Sequence, residues 1–167
     1  MIRNAMRRPA ALSLTFGMFL ACGCIATAQQ NPFAVPAPYT PQSNTALSVT
    51  GTIRFSSKSI SIHGKSYPLT LSHALTADEL AAAKPLFSID TASSGFLFQT
   101  SIPADAPMLN KNTLCNAKCT WVLAVYTAPD QLNLAFFTGD ATPSLAPGAL
   151  TNPSNVSGTY WYAKERH

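Results

Sequence analysis

Thr120 to Thr138 reads TWVLAVYT-APD-QLNLAFFT: two β-rich runs separated by Ala128-Pro129-Asp130. Proline presets φ for a turn and aspartate bonds back to its own backbone, so the two runs are expected to pair antiparallel as a hairpin. Leu132, Leu134 and Phe136 fall on one face of the second run, and Asn133, Ala135 and Phe137 on the other. That second face carries too much apolar surface to be fully wet. Trp121 and Tyr126 lie on opposite faces of the first run.

Working outward from this hairpin, further short strands are legible. Thr159-Tyr160-Trp161-Tyr162 reads as a final strand and Phe96 to Ile102 as an earlier one. Ser59-Ile60-Ser61-Ile62 alternates, His63-Gly64-Lys65 is a turn signal, and Tyr67 to Leu71 returns. Upstream, Leu47, Val49, Ile53 and Phe55 alternate with polar residues, which predicts a half-buried strand with Gly51 at a bulge or close approach. One helix is predicted. Thr76-Ala77-Asp78-Glu79 is a capping-box pattern, and Pro85 limits the helix to two or three turns. Pro-rich or small-residue loops occupy 103–112 and 139–155. The fold class expected is mainly β, with α+β as the alternative: a compact antiparallel β-sandwich or small barrel with one short helix.

The N-terminal residues read as an address. Arg3, Arg7 and Arg8 precede an apolar stretch from Ala10 to Ala26, and Ala26-Thr27-Ala28 is a small-x-small cleavage pattern. Residues 1–28 are therefore expected to be a secretory signal peptide, cleaved after Ala28. The apolar run of about 17 residues is at the lower limit for spanning a bilayer. Cys22 and Cys24 raise a lipoprotein alternative, in which Cys22 would carry the lipid, although Phe19-Leu20-Ala21 before it departs from the usual lipobox. Arg7-Arg8 is a weaker twin-arginine signal. Residues 29–45, with Pro32, Pro36, Pro38 and Pro41, read as a flexible Pro-rich arm. Residues 46–167 read as a single β-rich domain. The expected location is periplasmic or secreted.

Cysteine usage agrees with such an address. Removing the leader leaves Cys115 and Cys119, an even count spaced for a local disulfide in an oxidising compartment. Redox pairs usually have two intervening residues, whereas these have three, and a metal site would need two further ligands.

Charge excludes one class of partner. The sequence pI of about 9.0 comes mostly from the three leader arginines. Over the remainder, eight Lys+Arg face seven Asp+Glu, a net charge of +1. Arg54, Lys58, Lys65, Lys84, Lys111 and Lys118 are scattered singly, so nucleic acid is not an expected partner. No phosphate-binding loop and no Gly-x-Ser-x-Gly elbow occurs. His63 sits at a turn and His167 ends the sequence; His73, near the helix start, is the only histidine placed for general-base work. No catalytic, cofactor-binding or metal-binding residue is assigned, and no cofactor is expected. An enzyme is the less favoured reading.

Aromatic residues supply the candidate site. Tyr160, Trp161 and Tyr162 put at least one ring on each face of a strand, and Tyr and Trp are common anchors of binding surfaces. Ser157-Gly158-Thr159-Tyr160 falls one residue short of the Ser-Gly-x-x-Tyr loop of small periplasmic lysozyme inhibitors, and no family is assigned on it. The functional expectation is a small exported binding or interaction protein of the bacterial cell envelope, whose partner is a protein or glycan. Membrane association enters only with lipidation at Cys22. An inhibitor of a secreted or periplasmic enzyme is one alternative, and a small cell-wall or ester hydrolase is another.

Overall fold

A computed structural model describes residues 35–151 and 153–165; the expected signal peptide with Cys22 and Cys24, and also His167, lie outside the described residues. Eight antiparallel strands follow one another around a closed barrel in chain order. They are β1 (Ala37–Pro41), β2 (Ile53–Phe55), β3 (Ser59–Ile62), β4 (Lys65–Ala74), β5 (Ser94–Ile102), β6 (Cys119–Ala128), β7 (Gln131–Thr138) and β8 (Val156–Lys164). Of the two expected architectures, the barrel is the one formed. Helix α1 (Asn44–Val49) follows β1, and α2 (Ala77–Phe87) lies between β4 and β5.

An eight-stranded barrel has an interior just wide enough for side chains to fill. Here aromatic rings fill it: Tyr39, Phe55, Phe96, Phe98, Phe136 and Tyr162 are all buried in one cluster. Phe55 meets Phe98 edge-on at 5.9 Å, and Phe136 meets Tyr160 likewise at 5.4 Å. Three of the ring hydroxyls find partners inside, Tyr39 with Tyr126 and Tyr162 with Thr50 Oγ1 at 2.7 Å, whereas the buried Tyr67 hydroxyl has none.

A second apolar layer covers the outside of β5, β6 and β7. Leu97, Trp121, Leu123, Val125, Ala135 and Phe137 point outward beneath α2 and the loop carrying Leu145 and Leu150. This explains why Thr120 to Tyr126 is buried at every position while β3 alternates. A strand covered on both faces reads as a continuous apolar run. Gly95 belongs to this layer: a Cβ there would sit 2.6 Å from Leu75 Cδ1 and 2.9 Å from Leu80 Cδ2. Its missing side chain lets the start of α2 dock directly on β5.

The capping box at α2 forms as expected, with Thr76 Oγ1 accepting from the Glu79 amide and Glu79 Oε2 accepting from the Thr76 amide at 2.8 Å. The turn between β3 and β4 places both His63 and Gly64 at positive φ, the backbone that matches strand twist in a two-residue hairpin.

Two expectations are corrected. First, the Pro-rich segment is not wholly an arm, since residues 37–41 form β1, paired to β2 and β8. Tyr39 is the only β1 residue laddered on both sides. The Pro38 carbonyl accepts from Glu165 at 3.2 Å, beyond the last ladder pair with β8. Carbonyl and amide of a strand residue face the same side, so the N–H that proline lacks falls where the ladder has ended. Second, the alternation from Leu47 to Phe55 is not one strand. Ser43 caps α1 by accepting from the Ala46 amide, and Gly51 at φ +61 ends it with its amide on the Ala46 carbonyl. Ala46, Val49 and Thr50 are buried at helical spacing while Leu47 faces solvent, and only Ile53–Phe55 belongs to a strand.

Cys115 and Cys119 are joined as a disulfide with Cα atoms 5.7 Å apart, leading into β6. Replacing both with alanine should lower stability by about 2 kcal/mol, the loop-closure entropy of so short a ring. Urea unfolding of the double variant measures this, and an unchanged midpoint would show the bridge to be dispensable.

Candidate binding cleft

The pleat of β8 divides the aromatic triplet. Tyr160 and Tyr162 enter the barrel and are buried, whereas Trp161 points outward and remains 43% exposed. Two of the three candidate surface rings are therefore core. Tyr160 has its phenol pushed up to about 12 by burial. Ser157 and Gly158 lie within β8 rather than on a loop.

Directly across the ladder from Trp161 stands Asn133 of β7. Residues in register share a face, so both side chains project from the barrel's outer surface. Asn133 is nonetheless only 4% exposed, and its Nδ2 has no hydrogen-bond partner. A cleft of about 520 Å³ opens here, lined by both residues, by Ser43, Thr127, Gln131 and Thr159, and by the segment from Phe87 to Thr91 that leaves α2. That volume lies within the usual range for small-molecule sites.

Local bonds hold the lining in place. Ser43 Oγ accepts from the Trp161 amide as well as from Ala46, which ties the start of α1 to β8. Thr127 Oγ1 donates to Gln131 Oε1 at 3.0 Å across the hairpin end. Ser88 ends α2 in the left-handed conformation, turning the chain so that Ile89 and Asp90 form the opposite wall. Asp90 is the one ionisable carboxylate in the lining, which holds no lysine or arginine.

His73 has an acid beside it that sequence reasoning did not connect. Its Nε2 lies 3.1 Å from Glu79 Oε1, and its Nδ1 lies 3.3 Å from Ser72 Oγ. The Glu79 carboxyl is held below the usual carboxylate range, first by the Thr76 amide and also by His73. Its other oxygen is occupied by the capping box. The contact ties the bulged part of β4 to the start of α2, and neither Ser72 nor His73 lines the cleft.

Among the described residues, no three His, Cys, Asp or Glu side chains converge as metal ligands would, and no helix is long and apolar enough to cross a membrane. The fold and cleft define an eight-stranded up-and-down barrel with a filled interior and an external polar-aromatic cleft. No family model matches the chain, and no curated protein or solved structure matches it.

Of the residues that line the cleft, sequence reasoning singles out Trp161 and Tyr160. It misses Asn133, Ser43, Gln131 and Asp90. The one available signal was an asparagine in the middle of the otherwise apolar run LNLAFF.

Proposed function

We propose that this protein is a small exported binding protein of the bacterial cell envelope, periplasmic or secreted, which engages its target through the Trp161–Asn133 cleft. Export rests on the leader pattern in residues 1–28. Binding rests on one observation: a half-exposed tryptophan paired in register with an asparagine whose buried amide nitrogen has no partner. Folding gains nothing from leaving a buried donor unpaired, at a cost of about 1–3 kcal/mol. A ligand acceptor that completes the bond turns that cost into affinity. Inhibition of a secreted or periplasmic enzyme is a concrete form of the same reading.

Capture from envelope extract with the oxidised, exported protein tests it. The wild type should retain a stoichiometric target at moderate salt, and folded Trp161→Ala should lose it. Equal retention by both proteins would move the binding surface elsewhere.

The Ser72–His73–Glu79 contacts favour a second reading, a small cell-wall or ester hydrolase, because they supply the base with an orienting acid. Against it, the other Glu79 oxygen is held by the helix start, and the cleft lies elsewhere. Loss of a measured hydrolysis in His73→Ala, with thermal unfolding unchanged, would favour the hydrolase.

A further inference from the structure

We infer that the ligand of the Trp161 cleft is a neutral saccharide, seated with a sugar face on the indole and an oxygen acceptor on Asn133 Nδ2. This deepens the binding reading above and rests on it.

The lining selects by exclusion. An anionic ligand would meet Asp90 and no compensating cation. A wholly apolar ligand would leave the buried Asn133 amide nitrogen still without an acceptor. A cationic headgroup would be drawn to Asp90 and Trp161, but the donor end of Asn133 faces it with like polarity, and a single tryptophan does not make an aromatic cage. An extended peptide commonly binds by adding a strand to a sheet edge, and at the cleft the Trp161 amide and carbonyl are already taken by Ser43 and Gln42.

A pyranose meets every feature. Its C–H face packs on an exposed indole, and its ring substituents project sideways as donors and acceptors. Because Asn133 is the register partner of Trp161, a ring stacked on the indole carries its edge substituents over the buried amide. A hydroxyl oxygen or an acetamido carbonyl then accepts from Nδ2. Gln131 Oε1 is already taken by Thr127, which leaves its amide nitrogen as a second donor beside the first. The hydroxyls of Thr159 and Ser88 serve either role.

Titration of the full exported protein with a β-1,4-linked N-acetylglucosamine tetramer, a neutral glucose tetramer and choline tests the inference. The readouts are calorimetry and tryptophan emission. Trp121 is buried, so a ligand-dependent emission shift reports Trp161. At least one tetramer should bind, and Trp161→Ala and Asn133→Leu should each weaken it tenfold or more. Asn133→Leu should also keep or raise the melting temperature, since it removes a buried unpaired donor. A merely structural asparagine would show the opposite thermal response. Sugar binding unaffected by both variants, or binding of choline alone, overturns the inference. If no tetramer binds but a captured target is lost in Trp161→Ala, the saccharide is wrong and the cleft stands. If neither is seen, both readings fall.

Discussion

Raising the pH through 10 and beyond should unfold this barrel cooperatively, with its tyrosines ionising together rather than one by one. All five tyrosines, Tyr39, Tyr67, Tyr126, Tyr160 and Tyr162, are at least 97% buried. Burial raises every one of their phenol pKa values, and for Tyr126 the bond to Tyr39 raises it further. The phenolate is the charged form, so the native state keeps protons that the unfolded chain releases near pH 10. Between that pH and the folded values the unfolded state binds fewer protons, and stability falls as pH rises. The contribution is complete below about pH 10. Tyr160, raised from 10.0 to about 12, alone accounts for on the order of 3 kcal/mol lost across that window. Phenolate absorbance and near-ultraviolet circular dichroism should share one steep midpoint. Gradual ionisation from pH 10 with the dichroism intact would mean that the rings are accessible to solvent.

Tyr39→Ala should cost about 3–5 kcal/mol, the range for deleting a large buried aromatic side chain. Tyr39 is 1% exposed at the seam where the first strand meets both the second and the last. Native domains hold only about 5–15 kcal/mol in total, so the loss is a large share of the whole. Tyr39→Phe keeps the ring and removes the hydroxyl bonded to Tyr126, and should cost about 1 kcal/mol. Urea unfolding separates the two variants. Were residues 37–41 a solvated arm, Tyr39→Ala would change stability by no more than about 0.5 kcal/mol.

That contrast marks where sequence reasoning ends. The β6–β7 hairpin, the His63-Gly64 turn, the capping box and the disulfide were legible because each is specified by neighbouring residues. Strand β1 was not. Its prolines are strong local arguments against a ladder, and what overrides them is β8, more than a hundred residues away along the chain. Helix α1 failed for a different reason: six residues are too few to separate a period of two from one of 3.6. At the cleft, the exposed tryptophan was visible as an aromatic on a strand. Asn133 looked like an ordinary polar position on a half-wet face. Its burial depends on the segment after α2 folding over β7 and β8, which no local pattern encodes.

The order of the strands also sets the order in which the molecule is completed. Seven of the eight ladders join strands consecutive in the chain, and only β1–β8 joins the first to the last. A chain emerging from a ribosome therefore holds β1 without its second partner until β8 arrives. A waiting strand is a template for pairing between molecules. Pro38 faces that waiting edge and has no N–H to donate to a foreign ladder. A residue that obscured this strand in the sequence thus blunts the open edge of the unfinished barrel until its last strand seals it.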